Sequence, residues 1–344
     1  EIMESVRHRS GLKLFAAAIC SLGALALVSG TCLAAGTQDK TRDSYFQTLK
    51  GKKIVWIAAV MGNDLQAEWD AQFRKLASAV GMQYSLRDAN FNTQAQSQAM
   101  EAAIHEKPDI LVVQSLNVTL LARQIKRAEA AGIPVIQLNM KSLQDSTGFV
   151  GADYVGIGQQ SADAIVKACS PKNGKSGKIA IIQGEITAAD SYLQMQGAMP
   201  IFKAHPEIKI VANQAAEWDP NKAHDVAATI LQQHPDLCAF YGLWGEMSMG
   251  IGQAIKEAGM QGKVGNYSND GGARYACTAT KEGMFSEFWS YDAPGQARDV
   301  MELAISILEN HVKPGTMKTV LYSPMIAFTP QTVQASMCYD PPKR

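Results

Sequence analysis

From Lys53 onward, apolar runs of strand length alternate with helical patterns, and midway the series starts again. KIVWIAAV (53–60) reads as a strand, followed by a helix over about Ala67 to Val80 that stops at Gly81. Strand MQYSL, helix Gln94 to Glu106, strand DILVVQ (109–114), helix Val118 to Ala131, strand VIQL and a short GFVG (148–151) complete the first series. Helix Val155 to Ala168 opens the second. KIAIIQG (178–184), helix Ser191 to Ala204, KIVANQ (209–214), helix Asn221 to Gln233, LCAFYG (237–242), helix Glu246 to Ala258 and KVGNYS (263–268) follow. The core strands are near-continuous hydrophobic runs, which marks parallel sheets covered on both faces. Short loops between strand and helix imply right-handed βαβ crossovers. The chain therefore reads as α/β, with two doubly wound parallel-sheet lobes. FSEFWSY (285–291), helix Pro294 to Leu308 and strand TVLYS (319–323) are too little for a third domain and must return to the two lobes. The expected division is 35–152 plus 292–324 for the N-terminal lobe and 153–291 plus 325–344 for the C-terminal lobe.

The stretch EAAGIPVIQLNMK (129–141) shows how one such unit is punctuated. Gly132 can take the left-handed conformation that ends a helix, and Pro134 cannot continue one. Pro134 also lacks an N–H, which suits the first position of a strand. The strand then ends on Asn139 and Met140. In open parallel sheets, ligands bind beyond the carboxyl ends of the strands, so both residues are candidates for a site.

The N-terminus reads as a processing segment. Arg7, Arg9 and Lys13 precede an apolar run from Leu14 to Val28, and Cys32-Leu33-Ala34 offers small residues at a cleavage site. Residues 1–34 are therefore expected to be a signal peptide. The run is too short, and too broken by Ser21 and Gly23, for a membrane span. Thr31 stands where a lipid-attachment motif before Cys32 would carry Gly or Ala. Export implies a periplasmic location and makes disulfides possible for Cys169, Cys238, Cys277 and Cys338. Three pairings are open, and buried free thiols are an equal alternative.

Several function classes find no support. Formal net charge is zero and there is no basic block, so nothing points to nucleic acid. NGKSGK (173–178) lacks the first glycine of a phosphate loop, because Cys169 stands there. GIGQQS (156–161) lies inside a helical pattern and not after a strand. There is no G-x-S-x-G and no Cys/His cluster at zinc spacing. No catalytic residue, metal ligand or cofactor is assigned.

The strand ends carry a different chemistry. Trp69 follows the loop after the first strand, Trp218-Asp219 follow KIVANQAAE, and Trp244 follows AFYGL. Tyr267, Asn269 and Asp270 follow KVG, and Trp289 and Tyr291 end their strand. Any single tryptophan is as well explained by core packing. Four near one edge, with amides and a few carboxylates, suit a neutral polyhydroxylated ligand, whose C–H faces pack on rings while its hydroxyls pair with polar groups.

KIVWIAAVMGN, AEAAGIPVIQLN, FVGADYVGIGQ, KIAIIQG, EWDPNKAHDVAATILQQHPDL, EMSMGIGQAIKEAG and KVGNYSNDGG, in this order, resemble the ribose-binding type of periplasmic solute-binding proteins, the capture components of ABC importers. The resemblance covers roughly residues 50–335. LYSPMIAFTPQTV is similar to the ending of members that bind sugar alcohols. The resemblance implies two lobes joined by a three-strand hinge, closure on ligand, a monomer, and an ABC permease in the inner membrane as partner. It places Asn63, Leu65 and Gln66 in a ligand-contacting loop and Asn139 and Met140 where many members have Asp-Arg. It places Tyr192 where many have arginine and Trp218 at a stacking position. Trp244 takes the place of a polar residue, Asp270 that of a hydroxyl-binding aspartate, and Trp289 or Tyr291 that of a late glutamine. Asp153 falls at the first hinge, where it reads as a helix cap. Loss of the Asp-Arg pair and of the later arginine removes charge-assisted hydrogen bonds and implies a less charged, more aromatic pocket. A small neutral monosaccharide or sugar alcohol is the implied ligand. The alternatives are a sensor subunit feeding a chemotaxis or kinase receptor and a periplasmic enzyme, for which no nucleophile–base pair is evident.

Overall fold

The structure, a computed structural model, describes residues 38–343. The expected signal peptide and Cys32 lie outside the described residues. In chain order, the first series comprises α1 (Lys40–Leu49), β1 (Lys53–Ala58), α2 (Asp64–Ala79), β2 (Gln83–Asp88), α3 (Thr93–Glu106), β3 (Ile110–Val113), α4 (Ala122–Ala130), β4 (Val135–Leu138) and β5 (Gly148–Gly151). The second comprises α5 (Tyr154–Cys169), β6 (Lys178–Gln183), α6 (Ala189–Ala204), β7 (Lys209–Ala215), α7 (Pro220–Gln233), β8 (Ala239–Gly242), α8 (Gly245–Glu257), β9 (Gly265–Asp270), α9 (Arg274–Lys281) and β10 (Glu287–Ser290). The chain ends with α10 (Ala293–Glu309), β11 (Thr319–Tyr322) and β12 (Ile326–Phe328).

Each series builds one six-stranded sheet, in the orders β2-β1-β3-β4-β5-β11 and β7-β6-β8-β9-β10-β12. All pairs are parallel except β10–β12. Both sheets reverse direction of growth at their first strand, between β1 and β3 and between β6 and β8. Such switch points open a crevice above the carboxyl ends of the strands. Helix α10 returns to the first sheet and packs on α2, while β12 joins the second. The chain thus passes between the lobes after β5, after β10 and after β11.

Core burial follows the apolar runs. β3, β4 and β5 are buried at every position. In the first lobe, Trp56 on β1 meets Trp69 and Phe73 on α2 edge-on, at 6.2 and 5.4 Å between ring centroids. Helix α4 begins four residues later than the 118–131 pattern predicts. Asn117 explains the delay: its Oδ1 accepts from the amides of Thr119 and Leu120 at 2.8 and 3.2 Å, a local turn that competes with helix. The cysteine question resolves to Cys169–Cys238, which ties α5 to the entry of β8, and Cys277–Cys338, which ties α9 to the C-terminal segment.

Candidate functional site

The two carboxyl edges face one cavity. Asn63, Leu65 and Gln66 reach it from the start of α2, Phe91 from the turn after β2, Gln114 from the end of β3, and Asn139 and Met140 from the end of β4. Asp190 at the start of α6, Trp218 after β7, Trp244 after β8 and Tyr291 after β10 close it from the other side.

Local backbone aims these side chains. Asn139 has φ +58°, the left-handed region that asparagine tolerates better than most residues. The turn out of β4 therefore needs no glycine and keeps an amide at the strand end. Its Oδ1 has only long contacts, to Ala152 N and Gln296 Nε2 at 3.5 Å. Glu217 and Trp218 both have positive φ, +54° and +65°. Neither residue type favours that region, and each such residue costs on the order of 1–3 kcal/mol. The strained pair swings the Trp218 indole onto Gly184, where a Cβ would lie 2.2 Å from two ring carbons. Trp218 and Trp244 then meet edge-on, 6.0 Å between centroids.

On the first-lobe wall, Asn63 caps α2 by accepting from Gln66 N at 3.1 Å. Gln114 Oε1 accepts from Ala59 N at 3.2 Å and from Gln66 Nε2 at 3.4 Å. On the opposite wall, Asp190 is buried and accepts from Gln194 Nε2. Gln194 Oε1 accepts from Tyr241 OH and Asn269 Nδ2, each at 2.7 Å, and its Nε2 also donates to Leu243 O at 2.9 Å. Burial pushes the Asp190 carboxyl well above the usual aspartate range, and the Asp270 charge adds to the rise. Burial also raises Asp270, against the donors Tyr275, Gly271 N, Trp244 and Tyr291.

Of the twelve residues expected at the site, eight line the cavity: Asn63, Leu65, Gln66, Asn139, Met140, Trp218, Trp244 and Tyr291. Asp270 lies one layer back, behind Tyr291, which donates to it at 3.3 Å. The other three sit elsewhere. Tyr192 is 46% exposed. It stands two residues past Asp190 on α6, about 200° around the helix, so the residue facing the cavity is Asp190. Asp219 is exposed and caps α7, accepting from Asn221 N and Lys222 N at 2.7 and 3.2 Å. Trp289 lies within β10 and packs in the second lobe's core, because the strand ends at Ser290 and Tyr291 is the residue beyond it. Trp69 likewise belongs to the first lobe's core and not to the edge. Phe91, Gln114 and Asp190 were not anticipated. Gln114 carried the same signal as Asn139, an amide closing an apolar strand.

Across the mouth, the lobes touch directly. Thr187 O accepts from Val118 N at 3.0 Å, Thr187 Oγ1 accepts from Asn117 Nδ2 at 2.7 Å, and Glu246 Oε1 accepts from Asp64 N at 3.0 Å. The cleft is therefore closed in this structure.

A family model described as a periplasmic binding protein domain matches residues 54–311. The chain is 31% identical over 216 residues to the D-allose-binding periplasmic protein of Escherichia coli strain K12, covering 60% of this chain and 68% of that protein. It is 27% identical to the ribose import binding protein of Bacillus subtilis, covering 54% of this chain and 59% of that one. A carbohydrate transporter solute-binding protein of Agrobacterium radiobacter, solved with D-arabinose, shares the fold with a TM-score of 0.77 at 18% identity, covering 84% of this chain and 99% of that chain.

Proposed function

We propose that this chain, which belongs to the periplasmic binding protein family, is the solute-binding component of a sugar ABC importer. Members of the family are periplasmic binding proteins, and the two relatives named above are a D-allose-binding periplasmic protein and a ribose import binding protein. The observation that carries the reading is the cavity itself, which is walled from both lobes by amides and aromatic rings. Amides pair with hydroxyls, and indole and phenol faces pack on the C–H faces of a carbon ring. A monosaccharide or sugar alcohol fits that wall.

The fold supports the rest of the proposed cycle. The three crossovers act as a hinge, and ligand contacts on both walls favour the closed arrangement. The closed form is what an inner-membrane permease receives. The protein acts as a monomer in the periplasm, delivered there by the segment 1–34. The sugar and its mode of capture are tested by a thermal-shift panel. A monosaccharide or sugar alcohol should raise the melting point over amino acids, phosphates and dicarboxylates. At a thousandfold excess over Kd the stabilisation is about 4 kcal/mol. A panel in which only phosphates or dicarboxylates register would refute the ligand class. N-terminal sequencing of protein recovered from the periplasm should begin at Ala35 or Gly36, and a lipid-modified Cys32 would overturn the soluble form.

A further inference from the structure

The cavity wall carries one formally charged residue, Asp190, and no lysine, arginine or histidine. Asp190 is buried, and among the described residues Gln194 is the one hydrogen-bond donor to it. The titratable groups facing it are Tyr154 from α5, Tyr241 from β8, Asp270 from the end of β9 and Tyr291 beyond β10. None of these is a cation, and Asp270 is a second carboxyl with its donors already supplied from within the protein.

The opposite wall has a complementary peculiarity. Gln114 Oε1 accepts from the Ala59 amide, which fixes that atom as the oxygen. Gln66 must then present its nitrogen to Gln114, and does so. That leaves Gln66, a residue of the cavity lining, with its Oε1 buried and without a hydrogen-bond partner. A buried acceptor left unmade costs about 1–3 kcal/mol. Both walls therefore ask a ligand for donors, and one of them also asks for positive charge. The indoles of Trp218 and Trp244 border the same space, and their π-faces favour a cation.

We propose that the cavity selects a polyhydroxylated solute bearing an ammonium group, an amino sugar or amino polyol, with the ammonium seated against Asp190. This rests on the reading of the cavity as a sugar or polyol site. Burial raises the Asp190 carboxyl and favours its neutral form in the ligand-free protein. An alkylammonium ligand favours the carboxylate instead, so any proton the carboxyl holds passes to solvent as the charge-assisted pair forms. Neutral sugars fit the same walls and supply no such charge.

Matched pairs decide it: glucosamine and glucose, galactosamine and galactose, glucamine and sorbitol, an inosamine and inositol. Each is titrated calorimetrically in two buffers of different ionisation enthalpy. At least one amine should bind about tenfold or more tighter than its hydroxyl counterpart, as expected of a hydrogen bond to a charged group, and should release protons on binding. Asp190→Asn mimics the protonated carboxyl and should lower the amine-to-hydroxyl affinity ratio by a similar factor. Its ligand-free melting curve shows whether it folds. If hydroxyl members bind as well as or better than their amines, this inference falls while the sugar reading stands. If no member of any pair binds, both fall.

Discussion

Gly184→Ala is a perturbation that alters the cavity without replacing a residue that lines it. Gly184 follows β6, and the flat of Trp218 lies directly on it. An added Cβ would sit 2.2 Å from Cε3 and Cζ3 and 2.3 Å from Cδ2 of that ring. Real contacts do not come that close, so the ring must move. Trp218 shares a buried core cluster with Ala216 and Ala223 and also lines the cavity, so the cavity is the space open to a displaced ring. Overpacking of this kind costs about 1–3 kcal/mol. Removing glycine's unfolded-state freedom returns about 0.4–1 kcal/mol, since Gly184 does not have the positive φ that would strain an alanine. The ligand-free protein should then melt only a few degrees early. A ligand, however, needs the space into which the ring has been pushed. Returning the ring to its original place on binding must overcome the overpacking term, so Kd should rise by about five- to 150-fold. Calorimetric titration with the best ligand, beside scanning calorimetry without it, gives both numbers. Unchanged affinity would refute the placement of Trp218 as a wall of the binding space.

Glu246→Ala and Thr187→Ala remove cross-lobe contacts, so small-angle scattering of the ligand-free variants should show a population no more compact than the parent, and apparent affinity should fall without loss of any cavity residue. Ligand should reduce the radius of gyration if the free protein opens, and a saturated sample as expanded as the free one would count against hinge closure. The Cys169–Cys238 bridge closes a separation of 69 residues, for which loop entropy gives about 4 kcal/mol. Scanning calorimetry of the paired Cys169→Ala and Cys238→Ala variant should therefore show an early transition, and an unchanged one would refute the bridge's role. The Asp190 carboxyl is raised in the folded protein above its unfolded value, so the native state binds more protons and stability declines as pH rises through that window. Asp190→Asn should flatten that decline in ligand-free melting curves recorded from pH 4 to pH 8, and an identical pH profile would refute a buried carboxyl.

The architecture was legible because hydrophobic burial writes itself into the sequence with a period. Strands such as Ile110–Val113 and Val135–Leu138 are buried at each position, the pattern of a parallel sheet covered on both faces. The parts that escaped detection are those set by single side chains. The late start of α4 depends on one Asn117 oxygen capturing two amides. The disulfide pairing depends on which of several buried thiols the finished lobes bring together, and spacing carries no such information. A tryptophan after a strand looks the same whether it ends in a core or in a cleft. Trp69 and Trp218 separate only once helix α2 and the strained Glu217-Trp218 turn are built.

The site divides in the same way. Residues immediately past a strand, such as Asn139, Trp244 and Tyr291, are positioned by the sheet, and strand logic finds them. Asp190 is positioned by the first turn of α6, where each residue rotates the side chain by about 100°. A resemblance that assigns the role to Tyr192 misses by two residues and lands on the opposite face, in solvent. The error matters chemically, because an exposed phenol and a buried carboxyl impose different demands on a ligand. With Tyr192 in the wall, the missing arginines would leave a neutral pocket. With Asp190 there, beside Asp270 and without a facing cation among the described residues, the wall bears a carboxyl for which the proposed ammonium group would be the charge partner. The ligand class thus turns on helical phase at a single position, and Asp190→Asn is the substitution that reads it.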